Sequence, residues 1–171
     1  MVRRAAGIRV ERPTMQDLDA LVDLWVALVA DQRAHGTHLL PEENRSTARD
    51  VLSQYVATDR VFVARDPARE DPVGFVMYHV ESGLYDEDAQ RGVVDNVYVE
   101  LPYRGAGVGS RLLDAAEDAL REAGADVLAI SVMADNERAR ELYESRGYGP
   151  HRHVMEKSAE SDTQTKGDDE E

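Results

Sequence analysis

Three glycines that alternate with other residues lie between a predicted strand and a predicted helix. The strand, residues 93–99, is rich in valine, and Pro102 follows it. Gly105, Gly107 and Gly109 then precede leucine and alanine at helical spacing. Glycine allows unusual backbone angles and lets a ligand approach the main chain. Because the first N–H groups of a helix lack internal partners and its dipole favours anions, this turn predicts a phosphate or pyrophosphate site.

The glycine turn is a weak signal by itself. A dinucleotide-binding turn has a different spacing and an acid about 20 residues further on, and Gly105, Gly107 and Ser110 fit that pattern poorly. A Walker phosphate loop needs glycine and lysine before Ser or Thr, and no lysine lies nearby. A tight strand-to-helix connection without a ligand is therefore the alternative at this point.

A second group of residues follows after another predicted strand, residues 127–132. Its members are Asn136, Ala139, Leu142, Tyr143, Gly147 and Tyr148. Together with Arg104-x-x-Gly107-x-Gly109, this pattern resembles the two acyl-CoA motifs of the GCN5-related N-acetyltransferases. Two motifs in the right order, with a strand between them, are far more specific than either alone. The resemblance covers residues 61–157.

The resemblance implies where acetyl-CoA binds. Members of this family hold the pantetheine arm on the backbone of the strand before the glycine turn, here Val97, Tyr98 and Val99. They hold the pyrophosphate on the amides of the turn. The corresponding residues here are Arg104, Gly105, Ala106, Gly107, Val108, Gly109 and Ser110.

The second motif and the strand before it complete the implied site. The resemblance makes Asn136 and Ala139 cofactor-binding residues, and Asn136 or Asp135 is also a suitable helix N-cap. The strands at residues 93–99 and 127–132 would splay apart to admit the thioester. A backbone N–H at the splay could then stabilise the oxyanion of the reaction. No metal is implied.

The resemblance also implies direct transfer of acetyl to an amine. Tyr143 matches a tyrosine that protonates the CoA thiolate, and a phenol with a pKa of about 10 holds its proton at neutral pH. An aromatic side chain packed on the helix, with its hydroxyl bonded elsewhere, is the alternative. Asp95 matches an acid that accepts the amine proton or binds the ammonium, and an ion pair with an arginine is the alternative. Glu81, Glu100 or a chain of water molecules are further candidates for the base.

Two further expectations concern the acceptor. Strand alternation places Asp95 on the same face as residues 97 and 99, so it faces the thioester only if the strand splays or bulges. In the resembled family the connection between the first two helices helps to form the acceptor site, which draws attention to His35 and His38. Trp25 fits the buried stripe of the first helix better than a ligand platform.

The charge balance restricts the partners. The chain has 34 acidic and 20 basic residues, a formal net charge of −14, and only Lys157 and Lys166 are lysines. This argues against nucleic-acid and anionic-membrane binding, because both need a basic surface. Acid-rich, lysine-poor chains are typical of salt-accumulating cells, so we predict a halophilic protein. Four arginines could neutralise the charge of the CoA phosphates locally. The alternative is that they simply lie on solvent-exposed helix faces. They are Arg104, Arg111, Arg138 and Arg140.

Hydrophobic periodicity predicts the other elements. The predicted strands are residues 8–10, 61–64, 73–80, 93–99, 127–132 and 148–156. The first helix has a buried stripe from Leu18 to Val29, and the second begins at Ser46 or Thr47. The buried face of the second helix is predicted to hold Val51, Leu52, Tyr55 and Val56. The central helix ends near Gly124. Many members of the resembled family have two closing strands with a loop that walls the acceptor pocket, whereas this chain has room for little more than one. The resemblance therefore implies a pocket that is open or is closed by another subunit.

These observations predict a mixed α/β (α+β) protein with the fold of the resembled family. That fold has a mostly antiparallel mixed sheet, helices on both faces and a splayed strand pair. Residues 7–157 form one N-acetyltransferase domain between a flexible N-terminus (1–6) and a disordered acidic tail (158–171). The chain has no cysteine for disulfides or thiolate chemistry. No secretory signal is expected, because no apolar run follows the two arginines near the N-terminus, and the longest apolar run (24–30) is too short to span a bilayer. A soluble, cytoplasmic protein follows.

The predicted reaction transfers acetyl from acetyl-CoA to a primary amine of a small molecule. One alternative acceptor is a protein N-terminus or lysine side chain. A further alternative for the chain itself is a regulatory domain that binds acyl-CoA and catalyses no reaction. A homodimer is compatible with the sequence, since dimers are common.

Overall fold

Five strands form one sheet in the order in which they occur along the chain, in a computed structural model that describes residues 7–160. They are β1 (Arg9–Glu11), β2 (Val61–Arg65), β3 (Gly74–Val80), β4 (Arg91–Val99) and β5 (Val127–Ile130). Neighbours from β1 to β4 are antiparallel, and β4 and β5 are parallel. The predicted mixed, mostly antiparallel sheet is thus confirmed. The predictions for residues 1–6 and for the tail after residue 160 lie outside the described residues.

Four α-helices cover the two faces of the sheet. They are α1 (Leu18–Arg33), α2 (Arg45–Ala57), α3 (Val108–Glu122) and α4 (Glu137–Ser145). The helices α1 and α2 pack on the face that carries Val61, Val63 and Phe75. The helix α3, with Leu142 and Tyr143 of α4, packs on the opposite face. Helices on both faces were predicted, and this too is confirmed.

Most predicted core positions are buried. The apolar stripe of α3 is fully buried and consists of Leu112, Leu113, Ala116 and Leu120. The second helix differs from its prediction at two points. It begins after Asn44, with no side-chain cap, rather than after Ser46 or Thr47. Val51 is 41% exposed, because it lies beside a cavity rather than in the core.

The predicted closing strand at residues 148–156 is wrong. No strand occurs after β5 in the part of the chain that the structure describes. Val154 and Met155 are 83% and 88% exposed. As neighbours, these two side chains would point to opposite faces of a strand, so they offer no single apolar face to bury. Pro150 also removes one backbone donor from any ladder.

None of the helices within residues 7–160 combines the length and the apolar character needed to cross a bilayer.

Candidate active site

The glycine turn between β4 and α3 takes the left-handed backbone conformation twice. Gly105 has φ 75° and Gly107 has φ 80°, and Gly107 is the N-cap of α3. Residues other than glycine rarely adopt such backbone angles, which explains why glycine occurs at these two positions. A Cβ atom at either position would meet no protein atom within 4 Å. The space beside these two α-carbons is therefore open rather than filled by protein.

The N–H groups of this turn are free to bind a ligand. The amide of Arg104 donates to Leu101 O at 3.2 Å, and the amide of Arg111 donates to Gly107 O at 3.1 Å. Between them, the N–H groups of residues 105–110 have no acceptor within residues 7–160. These donors lie at the positive end of the α3 dipole. A run of open amides at this position is suited to bind a phosphate or diphosphate.

Three of the four arginines considered for the CoA phosphates already bind other groups of the protein. Arg104 donates from Nε to Val99 O and from its terminal nitrogen to Asp31, both at 2.7 Å. Arg111 donates to Ile8 O at 2.7 Å, and Arg140 donates to a backbone carbonyl. Arg138, among these four, has no partner within the described residues. Arg104 and Arg111 therefore support the turn, and the backbone amides are the donors that the turn leaves open.

A gap opens beside the second half of β4. Pairing with β5 runs from Arg91↔Val127 to Val94↔Ile130 and stops there, whereas β4 continues to Val99. β5 also ends at Ile130, two residues earlier than predicted, which lengthens the gap. The amide of Glu100 donates to Val73 O on the β3 side.

Strand alternation then decides which backbone groups of β4 face this gap. Because the amide of Glu100 faces β3, Tyr98 faces β3 as well, and Val97 and Val99 face the gap. The Val99 carbonyl accepts a hydrogen bond from Arg104. The backbone groups left to face the gap are therefore the N–H and the C=O of Val97 and the N–H of Val99. Of the three predicted pantetheine contacts, the geometry favours Val97 and Val99. The Tyr98 side chain packs on the α1–α2 face.

Asp95 lies in a β-bulge at the start of the gap. Met77 pairs with Asn96 and Tyr78 pairs with Val94, so Asp95 is an extra residue on β4. The bulge breaks the strict alternation of side chains. Val94, Val97 and Val99 contribute to the core on the α3 face, whereas the Asp95 side chain contacts α2. The expectation that Asp95 shares a face with residues 97 and 99 was therefore wrong.

The carboxylate of Asp95 binds two side chains that sequence reasoning missed. The Tyr55 hydroxyl donates to Oδ2 at 3.1 Å, and Nδ1 of His79 lies 2.9 Å from the same oxygen. Burial and, second, the charge of Asp95 raise the pKa of Tyr55 to about 12, so Tyr55 remains a donor. The arginine partner considered for Asp95 is not found within residues 7–160. The sequence feature that could have indicated this contact is a histidine in the otherwise apolar strand β3.

The other two candidate bases are held in ion pairs. Glu81 lies 2.9 Å from Arg91, at the end of β4 that is farthest from the gap. Glu100 lies 2.5 Å from Arg69. Both carboxylates thus have arginine partners.

The second motif forms α4 beside the gap. Asn136 is its N-cap, and its side-chain oxygen accepts from the Ala139 amide at 3.2 Å. Tyr143 is partly buried against the α3-face core, which also includes Val97. Burial raises the pKa of Tyr143 to about 12. Its hydroxyl has no hydrogen-bond partner within residues 7–160, so Tyr143 is a protonated phenol with a free donor.

A cavity of about 210 Å³ lies on the opposite face of β4, between the sheet, α1 and α2. Trp25, Val51 and Met77 contribute apolar wall, and Asn96 contributes a polar group beside Asp95. Trp25 both packs against the core and lines this cavity. Two contacts between a histidine ring nitrogen and a carboxylate oxygen hold the connection after α1. They join His35 to Asp135 (3.1 Å) and His38 to Glu156 (3.0 Å). No group of potential metal ligands occurs in the described part of the chain.

These features define a class of α/β proteins in which a parallel strand pair separates beside a turn of open amides. Comparison with known sequences gives the family. The profile of the Acetyltransferase (GNAT) family matches residues 23–148, and the chain belongs to this family. The resemblance seen in the two motifs is thereby confirmed.

Individual relatives agree with this assignment. The mycothiol acetyltransferase of Propionibacterium freudenreichii subsp. shermanii is 34% identical over 143 residues, which cover 83% of this chain and 43% of that protein. The mycothiol acetyltransferase of Beutenbergia cavernae is 40% identical over 131 residues, 74% of this chain and 40% of that protein. The chain thus spans less than half the length of these relatives. An aminoglycoside N-acetyltransferase in complex with CoA has the same fold, with a TM-score of 0.71 and 14% identity over 92% of this chain and 98% of that one.

Proposed function

We propose that this protein transfers acetyl from acetyl-CoA to a primary amine of a small molecule. The observation that carries the proposal is the run of open amides at residues 105–110, placed directly beside the gap between β4 and β5. The turn supplies donors for the diphosphate, and the gap supplies an unpaired strand edge for the pantetheine amides. Family membership supports the same ligand.

The residues around the gap suit direct transfer. Val97 and Val99 hold the arm of CoA through their backbone groups and place the thioester at the bulge. The amine attacks the thioester carbonyl from the α1–α2 face, where the cavity and Asp95 lie. A backbone N–H at the bulge stabilises the developing oxyanion. Tyr143 then donates its phenolic proton to the departing CoA thiolate.

The cavity favours a small acceptor. Its volume of about 210 Å³ is below the roughly 300–1,000 Å³ of sites for drug-sized ligands. The names of the relatives, mycothiol and aminoglycoside acetyltransferases, refer to small molecules. A peptide acceptor remains the second candidate, because no strand follows β5 within residues 7–160 to close the site on that side.

Two measurements test the proposal in order. Calorimetry with acetyl-CoA asks whether the site binds CoA, and the absence of binding heat would refute the proposal. A panel of small amines and short peptides, followed by release of free thiol in molar KCl, then identifies the acceptor class. Binding without turnover of any acceptor would instead favour a regulatory domain that binds acyl-CoA.

A further inference from the structure

His79 on β3 is the ionisable side chain closest to Asp95, and the sequence reasoning assigned it no role. Its Nδ1 lies 2.9 Å from Oδ2 of Asp95, and the two side chains are 28% and 22% exposed. Its second ring nitrogen, Nε2, has no hydrogen-bond partner within the described residues. A carboxylate at Nδ1 fixes the neutral ring in the Nδ1–H tautomer and leaves the lone pair on Nε2. Nε2 is thus the open basic atom of this pair.

Asp95 is less suited to remove a proton than its neighbour. Its Oδ2 already accepts from Tyr55 and faces His79. A carboxylic acid also has a reference pKa of about 3.9, against about 6.5 for imidazole, and a general base works best when its pKa is near the working pH. The same contacts suit Asp95 to orient the imidazole and to stabilise its charged form.

The position of His79 links the cavity to the gap. His79 pairs with Val93, next to Val94, where pairing between β4 and β5 ends. Met77 lies two residues earlier on β3 and lines the cavity. Residues i and i+2 of a strand share a face and lie about 7 Å apart. His79 is therefore one side chain away from the cavity, on the face from which an amine would approach.

We propose that Nε2 of His79 is the general base of the reaction and that Asp95 is its positioning residue; this rests on the proposed acetyl transfer. The amine nitrogen forms a bond to the thioester carbonyl carbon. The proton of the resulting ammonium passes to Nε2, and the C–S bond then breaks. Tyr143 protonates the CoA thiolate. His79 then releases its proton to water, and the Tyr143 phenolate takes one proton back from water, so both side chains regain their starting state. The products are the acetylated amine and free CoA thiol.

The pH dependence follows from the charges around His79. The base is active only in its neutral form, so the pH–rate profile should have a limb that rises with pH. Asp95 faces the ring directly, and Tyr55 of α2 bonds to Asp95. Glu81, which directly follows β3, is paired with Arg91 of β4. The guanidinium of Arg60, which follows α2, lies 4.6 Å from the Tyr55 ring centre. Removing the Asp95 charge destabilises the imidazolium, so Asp95→Asn should move the rising limb to lower pH.

The kinetic test compares His79→Gln with a matched histidine variant, His153→Gln, whose side chain is exposed in the irregular C-terminal segment. His79→Gln should lower kcat/KM about 10²-fold or more and abolish the rising limb of the pH–rate profile, with unchanged acetyl-CoA affinity by calorimetry. Asp95→Asn should retain a limb at lower pH. His153→Gln should match the parent protein. A limb that persists in His79→Gln and disappears in Asp95→Asn would overturn the proposal and make Asp95 the base.

A second measurement does not depend on finding an acceptor. Nitrogen NMR of histidine-labelled protein distinguishes the two neutral tautomers, and the signal missing from His79→Gln identifies His79. The Nδ1–H tautomer is expected. An Nε2–H tautomer would overturn the proposal, because Nε2 would then have no lone pair to accept a proton. If acetyl-CoA binds but no amine reacts, the acetyl transfer itself fails, while the NMR result still decides whether Nε2 is the open base.

Discussion

Gly107 combines two requirements at one position of the chain. Its left-handed backbone, φ 80°, caps α3, and its amide belongs to the open run of donors. Alanine in this conformation costs about 1–2 kcal/mol, so the turn would relax and its amides would lose their common direction. Charge-assisted hydrogen bonds are about twice as strong as neutral ones, and losing their alignment should weaken CoA binding more than folding.

Gly107→Ala should therefore reduce acetyl-CoA affinity about tenfold or more, equivalent to about 1.4 kcal/mol, as measured by calorimetry. Gly124→Ala is the matched control. Gly124 also has a positive φ, 92°, and an added Cβ there meets no atom within 4 Å, but it lies at the other end of α3. Both variants should lose similar unfolding free energy, and only Gly107→Ala should lose affinity. Equal affinities in the two variants would exclude the turn as the diphosphate site.

Burial alone makes Tyr143 suitable as the general acid of the reaction. Its pKa of about 12 keeps the phenol protonated throughout the physiological range, and its hydroxyl is open within the described residues. Tyr143→Phe should lower kcat about 10²-fold with an active acceptor and leave acetyl-CoA affinity unchanged, because it removes only the hydroxyl that supplies the proton. Tyr85→Phe, at a residue that is 86% exposed, is the control for the loss of a hydroxyl. An unchanged kcat in Tyr143→Phe would disprove the assignment of the acid.

At the scale of elements, α4 has no fully buried residue and depends on a carboxylate of α3 for its position. Glu117 is 6% exposed and accepts from Arg146 at 3.2 Å, from the Tyr148 hydroxyl at 3.1 Å and from Arg121 at 3.3 Å. The first two of these donors follow directly after α4. The Glu117 carboxylate thus holds the helix that carries Tyr143 against α3.

Glu117→Gln should destabilise the protein by about 2 kcal/mol, because it removes a buried carboxylate that accepts charged hydrogen bonds, while Arg146 keeps Asp114 at 2.6 Å as a counter-charge. The neighbouring Asp118→Asn removes an acid that is 72% exposed and pairs with Arg121, and it should cost less than about 1 kcal/mol. Urea unfolding measures both free energies. Similar small losses in the two variants would show that α4 is held mainly by its apolar contacts.

The elements also show what the sequence could and could not predict. The glycine turn, the α3 stripe and the Asn136 cap are local features, so residue types and spacing were enough to find them. The bulge at Asp95 depends on how β3 and β4 pair, and a period of two residues along one strand cannot reveal an extra residue. The contact between His79 and Asp95 follows from that pairing. The early end of β5 is likewise a property of the strand pair.

At the scale of the whole molecule, charge is the dominant property. A net charge of −14 destabilises the compact state by self-repulsion. At about 0.1 M salt the Debye length is about 10 Å, and at about 1 M it is about 3 Å, so salt screens this repulsion. The prediction of a halophilic protein is therefore a prediction about the salt dependence of its stability.

The midpoint of thermal unfolding should rise between 0.1 M and 2 M KCl, because added salt screens repulsion that exists mainly in the folded protein. A variant with three neutral amides, Asp86→Asn, Glu87→Gln and Asp88→Asn, provides the internal comparison. These acids are exposed and have no ion pair within residues 7–160, so their removal lowers the net negative charge without breaking a contact. The variant should be more stable than the parent in dilute salt and should gain less from KCl. Equal unfolding midpoints of the parent protein at the two salt concentrations would show that its acidic surface is no adaptation to salt.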